Sequence, residues 1–396
     1  MNNFLSNQNL ATPSSAGTAA KNRVKKPLML ALAALAFAAP AVPAFAATTQ
    51  WWSLTPQQQI GQNATVNVQS KGAKGDGVHN DTAAIQAAID SLPATGGTVT
   101  VPAGRYMVDA TKSIRMRSHT RLLLDANATL VVIPNNVTRS RLIRVWNVTD
   151  VRIVGGSMEG DRAKHIGSTG EWGMGIDIIA AKNVVVKGTK LSEFWGDGIY
   201  IGASGSGSRL HVSDYVTIVN VVSNHNRRQG LSITPATHVY VVNSTFSNTI
   251  GTLPEAGIDI EPMSQGPTSS IRLENNTFTG NHGNGIELHT HISDIAIVGN
   301  TLTSNHGFGA LGVSASGVTY TGNHATLNRL AAIGVTGTAH DIAIKGNTLQ
   351  YNSTLYISPT NKGGALDRDL QIGSAATRVS VSGNLFSNSK YNTYVR

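Results

Sequence analysis

Glu274-Asn275-Asn276-Thr277-Phe278 returns as Val298-Gly299-Asn300-Thr301-Leu302, then as Thr321-Gly322-Asn323-His324-Ala325 and Lys345-Gly346-Asn347-Thr348-Leu349. After a longer interval it closes as Ser382-Gly383-Asn384-Leu385-Phe386. The Asn residues at 276, 300, 323 and 347 stand 24, 23 and 24 residues apart. Asn220 and Asn243 extend the series upstream by a step of 23, and steps of 33 and 37 leave room for loops. A period of this size marks a solenoid. An alternating strand precedes most of the Asn positions, as in Ile295-Ala296-Ile297-Val298 and Ile342-Ala343-Ile344. No helical periodicity runs through the units, and β-branched residues dominate them. Two or three short strands joined by turns fill one repeat, which predicts the coil of an all-β parallel β-helix. The recurrent Asn is expected to stack coil upon coil, since Asn both bonds neighbouring backbone and tolerates left-handed turns.

The segment before the coils differs. Ile85, Ala88, Ile89 and Leu92 have helical spacing, with Asn80 or Asp81 as N-cap. A helix here is expected to cap the first coil, whose strand edges would otherwise invite aggregation. Thr98-Val99-Thr100-Val101-Pro102 reads as the first strand. Further upstream, Lys21, Arg23, Lys25 and Lys26 precede the apolar run Leu28 to Ala39 and the Ala44-Phe45-Ala46 cleavage pattern. Residues 1–46 are therefore expected to be a signal peptide, with an uncleaved anchor as the poorer alternative. Residues 47–65 form an extended lead-in, with Trp51 and Trp52 packing on the solenoid. Residues 66–396 form a single domain, whose N-terminal cap covers about 66–110.

The chain has 396 residues, 40% hydrophobic, 13% charged, and no cysteine. That composition supports a large core and excludes a disordered chain. Stability after export would come from packing, not disulfides. Of the formal charge of +9, four units lie in the signal segment. The remainder is compatible with an anionic partner. No basic run interleaved with aromatics points to nucleic acid, and no later apolar run is long enough for a membrane span.

Residues 66–133 carry a family resemblance. Val68 to Gly77, Asn80 to Ile89, Gly96 to Tyr106 and Ser118 to Leu130 resemble the N-terminal cap of the pectate lyase superfamily. That resemblance implies a right-handed parallel β-helix solenoid with a short N-terminal capping helix, and places Asp76 and Asp81 in the cap's turn and helix start. Polygalacturonases, polysaccharide lyases, mannuronan C-5-epimerases and phage tailspikes share the fold, so it does not choose the reaction. Polygalacturonases add Asn-Thr-Asp, Asp-Asp and Gly-His-Gly elements on successive coils. At the comparable places Asp197 is kept, but Met174, Gly196 and Gln229 replace the other acids and the His. Gly251 to Pro262 loosely resembles the Asp-Pro-His-Glu element of the epimerases, without its His.

One strand pattern concentrates the chemistry. Gly175-Ile-Asp177-Ile, Gly198-Ile-Tyr200-Ile, Gly230-Leu-Ser232-Ile, Gly257-Ile-Asp259-Ile and Gly285-Ile-Glu287-Leu share the form Gly-apolar-x-apolar. Strand side chains alternate between faces, so the aliphatic residues point inward and the intervening ones outward. Coils stack about 4.8 Å apart. Asp177, Tyr200, Ser232, Asp259 and Glu287 should form one exposed column, joined by Glu261 and His289 two residues further on. Arg227 and Arg228 precede its middle coil.

The expected catalytic set is Asp259, Glu261, Arg228, His289, Glu287 and Asp197. Asp177, Tyr200, Arg227 and Gln229 are the expected substrate-binding set; His282 and His291 are weaker candidates. In β-elimination on a uronate, the sugar carboxylate must be neutralised before the C5 proton becomes acidic. Arg227 or Arg228, or a Ca2+ held by Asp259, Glu261 and Glu287, would do this. His289 would be the base and Tyr200 the proton donor, and returning the proton to C5 would epimerise instead. In hydrolysis, Asp197 with Asp259, or Asp259 with Glu287, would flank the glycosidic bond. The sequence thus points to a secreted or periplasmic polysaccharide-active protein, foremost a lyase on an anionic polymer. A glycoside hydrolase, a C-5-epimerase and a non-catalytic carbohydrate-binding β-helix are the alternatives.

Overall fold

The computed structural model describes residues 50–52, 64–262, 265–355 and 368–387. The expected signal peptide and residues 47–49 and 53–63 of the lead-in lie outside them. Among the described residues, strands form three all-parallel sheets of twelve, twelve and ten strands. The chain visits the sheets in a fixed order, one strand in each per coil. The first sheet runs from Thr65–Asn67 to Thr377–Ser382, and the second from Asp76–Asn80 to Leu385–Ser387. The third runs from Ile114–Arg115 through Arg139–Trp146, Trp172–Ile179, Ile199–Gly202, Leu231–Ile233, Ile258–Ile260 and Ile286–Leu288 to Leu370–Ile372. The expected first strand is corrected: Gly97–Val101 is preceded by Thr65–Asn67 and Asp76–Asn80, which the Gly-rich turns of the cap concealed.

Alternation within each strand builds the core. Ile176, Ile199, Leu231, Ile258 and Ile286 are wholly buried and successive in register along the third sheet. Burying each such side chain contributes about 1.5–3 kcal/mol. Phe246 and Phe278 stack at 5.5 Å in the same interior.

Two buried ladders pin the turns. Nδ2 of Asn276 donates to Oδ1 of Asn300 (3.1 Å), and the bond repeats from Asn300 to Asn323 (3.0 Å), Asn323 to Asn347 (2.9 Å) and Asn347 to Asn384 (2.8 Å). Each acceptor oxygen also receives a backbone N–H from the previous coil. A second ladder joins Asn281, Asn305, Asn328, Asn352 and Asp369 in the same way. The expectation for Asn220 and Asn243 needs correcting. These residues occupy the left-handed turn position (φ 53° and 50°), as do Asn275, Gly299 and Gly322. The ladder position is the next residue, where Ser244 stands in for Asn upstream.

The helix Thr82–Asp90 packs Ile85, Ala88 and Ile89 into the core and touches Thr65–Asn67 and Ile114–Arg115, edge strands of two sheets. Gln86 mimics a missing strand: its Oε1 accepts from the Arg115 N–H (2.8 Å) and its Nε2 donates to the Arg115 carbonyl (3.2 Å). Arg117 donates to the carbonyls of Ile89, Asp90 and Leu92 at the helix C-terminus, where a cation is favoured. Asn80 accepts the N–H of Thr82; Asp81 accepts those of Lys74 and Gly75, and Asp76 those of Val78 and His79, so both acids of the cap are architectural. Trp51 and Trp52 pack on the outer face of the first sheet against Val219, Tyr240 and Val242. Arg272 lies over the Trp52 ring at 4.6 Å.

Replacing Asn323 by Ala leaves the backbone N–H and side-chain amide of Asn300 without their acceptor. We expect a loss of about 1–3 kcal/mol, the usual penalty for buried unsatisfied groups, read from urea unfolding. An unchanged midpoint would mean that the ladder does not bind the coils together.

Candidate functional site

The third sheet carries the site. Its register aligns Asp177, Tyr200, Ser232, Asp259 and Glu287 side by side on successive coils. Arg144 and Arg115 continue the column toward the N-terminal end, and Leu311 and Gly334 close it on the other side. The ladder extends past the strands, because the Glu261 N–H donates to Ile233 and the His289 N–H to Ile260.

The centre is an acid held among cations. Asp259 has 2% of its surface exposed. Gln229 Nε2 donates to its Oδ2 (3.0 Å), and His289 Nε2 lies 3.4 Å from its Oδ1. The same Nε2 lies 3.3 Å from Glu287 Oε1, while Asn284 donates to the other Glu287 oxygen (2.9 Å). Its pairing with the Asp259 and Glu287 carboxylates pushes the His289 pKa up to about 10, against the opposing effect of burial. The ring is therefore an imidazolium at neutral pH, not the free base expected from the sequence. It lies between Asp259 and Glu287, two of the three acids that, with Glu261, made up the alternative Ca2+ site. Among the described residues no three acid or imidazole groups converge as metal ligands.

A second buried acid lies one step away. Asp197 is fully enclosed; both its oxygens accept from Arg228 Nη1 (3.2 and 2.9 Å), and Ser232 Oγ donates at 2.8 Å. Burial lifts its pKa to about 6 even though Arg228 and Ser232 favour the carboxylate. Arg228 is held charged, first by Asp197, and also approaches Glu171 at 3.9 Å. Glu261 is only partly buried, and its pKa is raised by that burial and then by the Asp259 charge. Tyr200 keeps its proton, because burial raises its pKa. The partly exposed groups on this face are thus Glu261, His289, Tyr200, Glu287 and Arg228, supported from behind by the enclosed Asp197 and Asp259.

Three expected substrate residues sit elsewhere. Gln229 has no exposed surface; its Oε1 accepts from the Ala256 N–H, so it orients Asp259 from behind. Arg227 points away from its neighbour Arg228, lies 3.8 Å over the Trp195 ring and donates to Gly170 and Trp195 carbonyls. The two arginines lie in the bend between the strands Val222–Asn224 and Leu231–Ile233, where the chain turns them to different partners. Asp177 is buried and bonded to Arg141 and to Trp146 Nε1 (3.1 Å), away from the acid centre. His282 stacks on His306 at 4.2 Å at a corner, and His291 is an exposed turn residue; neither joins the column. Sequence reasoning missed Arg115, Arg141, Arg144 and Trp146. The alternation of Arg139-Ser140-Arg141 and Arg144-Val145-Trp146 was their signal, but it lacks the Gly-apolar-x-apolar form.

A His289 held near 10 binds its proton more tightly folded than unfolded, where 6.5 applies. Its stabilising effect is complete below about pH 6.5 and is lost as pH rises through 10. Denaturation at pH 6.5 and pH 10 should show stability falling over that window, and His289→Gln should flatten the fall. Parallel profiles for the two proteins would contradict an ion-paired imidazolium.

The family model described as right handed beta helix region matches residues 174–349 and 257–395, which together span more than half of the chain. Uncharacterized protein YclG of Bacillus subtilis is 29% identical over 268 residues, covering 59% of this chain and 46% of YclG. The chain thus spans less than half the length of that relative. Among solved structures, the A-module of mannuronan C-5 epimerase AlgE6 from Azotobacter vinelandii superposes with a TM-score of 0.63 at 20% identity, covering 82% of this chain and all of the module. The Streptococcus pneumoniae surface protein and adhesin PfbA superposes with a TM-score of 0.63 at 20% identity, covering 84% of this chain and all of that structure. At such identities these likenesses show the fold alone.

Proposed function

As the chain belongs to the right-handed β-helix family, we propose that it is a secreted polysaccharide-active enzyme that cleaves a uronic-acid-containing polymer by β-elimination. Export rests on the signal pattern of residues 1–46. The observation that carries the chemistry is His289, held as a cation between Asp259 and Glu287 beside the more exposed Glu261. Two cations, His289 and Arg228, neutralise the substrate carboxylate and so acidify the C5 proton. Glu261, made more basic by burial and by Asp259, takes that proton. The electrons form the C4–C5 double bond as the C4–O bond breaks, and Tyr200 returns a proton to the leaving oxygen.

Hydrolysis fits less well. Asp197 is enclosed by Arg228 and Ser232, and Asp259 by Gln229 and His289, so neither pair of acids is free to flank a glycosidic oxygen. The AlgE6 module and the adhesin PfbA keep two other readings in view, because inversion at C5 begins with the same proton abstraction and adhesion needs no catalysis.

Purified protein presented with pectate, alginate, glucuronan and bacterial exopolysaccharides should produce the ultraviolet absorbance of an unsaturated uronate. Glu261→Gln should lower turnover by about 10²–10⁴-fold, the range for a general base, with the circular dichroism spectrum unchanged. New reducing ends without that absorbance indicate hydrolysis. Inverted C5 centres without cleavage indicate epimerisation, and retained binding with no product indicates an adhesive module.

A further inference from the structure

We propose that Arg115 and Arg144, with Arg141 and Trp146, form a carboxylate-binding subsite for a uronate unit on the N-terminal side of the acid centre. The inference rests on the reading of this face as binding a uronic-acid polymer and adds where on the rod a further charged unit is held. Arg115 and Arg144 are register partners, and Arg144 is the partner of Asp177. The subsite therefore belongs to the same outward column as Asp259. Four coil steps separate Arg144 from Asp259, roughly 19 Å at the spacing of paired strands.

The cluster holds more positive charge than its own acids balance. Arg144 lies 3.5 Å over the Trp146 ring, and Arg141 lies 5.1 Å from the same centroid. Asp177 is the acid among them, and its Oδ2 is engaged by Arg141 and Trp146. Arg144 Nε is buried and has no hydrogen-bond partner. The Arg144 pKa is lowered by burial, then by Arg141, with Arg115 adding to the effect. Packing like charges together with an unpaired N–H costs stability. A carboxylate bound at the accessible ends of Arg115 and Arg144 relieves the like-charge cost, and a guanidinium fork matches its two oxygens. Beyond Arg115 the face opens into a groove of about 590 Å³ lined in part by Asn80, Gln86, Asp90 and Lys112, where a longer chain has room to continue.

The test uses the full chain with galacturonate and mannuronate hexamers, the matching dimers, and carboxyl-reduced hexamers. In nitrogen–proton spectra of arginine side chains, the Arg144 Nε–H resonance should shift on adding a uronate hexamer. The double variant Arg115→Gln, Arg144→Gln should raise the hexamer Kd at least tenfold, leave dimer binding within twofold, and show a weaker salt dependence. Its Tm should stay the same or rise, because like-charge repulsion is relieved. An unchanged Kd, equal affinity for the carboxyl-reduced hexamer, a lower Tm, or no hexamer binding at all would overturn the subsite. Turnover that persists in the double variant with an unchanged Kd defeats the subsite and leaves the lyase reading intact. Binding through Arg144 without any product defeats the lyase reading and leaves the subsite.

Discussion

Parallel pairing in constant register is the constraint from which the molecule follows. Each strand of the third sheet meets the same positions of the next, so a side chain's neighbours come from residues 23 to 37 positions away in sequence. A slip of one residue would turn every aliphatic side chain outward and every acid inward. The two Asn ladders oppose such a slip. Their amides bond both the next side chain and a backbone group of another coil, so a displaced coil would leave several buried polar groups unsatisfied at once.

The same stacking explains the electrostatics. A column of outward residues forces Asp259 and Glu287 into adjacent positions, where two bare carboxylates would repel. His289 resolves the conflict by lying between them as a cation. Arg228 does the same for Asp197. Enclosed acids therefore serve to fix cations in place, and those cations face whatever binds the sheet. Charge outweighs burial here: the two carboxylates hold the imidazolium proton well above its ordinary range, although burial by itself lowers it.

Much of this was legible in the residues. The spacing of Asn276, Asn300, Asn323 and Asn347 revealed the coil, and the Gly-apolar-x-apolar strands revealed the column in its true order. The second ladder at Asn281, Asn305, Asn328 and Asn352 has the same period, five residues after the first, but varied flanking residues conceal it. What escaped depended on the direction of single side chains. Arg227 and Arg228 are adjacent in sequence, yet one stacks on Trp195 and the other binds Asp197. Gln229 looked like an exposed polar residue, but Asp259 and the Ala256 N–H absorb its amide. Protonation was also hidden. A histidine reads as a base until its two acid neighbours are seen.

The ladders carry an implication for how such rods diversify. Because Asn300, Asn323 and Asn347 make equivalent bonds to the coils on either side, each coil is an interchangeable module with matching ends. Duplication or loss of a unit beyond Leu311 would change the length of the rod and preserve the chemistry. The same event between Ser232 and Glu287 would separate the acids from their cations. Evolution can therefore lengthen this scaffold freely at one end, while the block of coils from Asp197 to His289 has to be inherited whole.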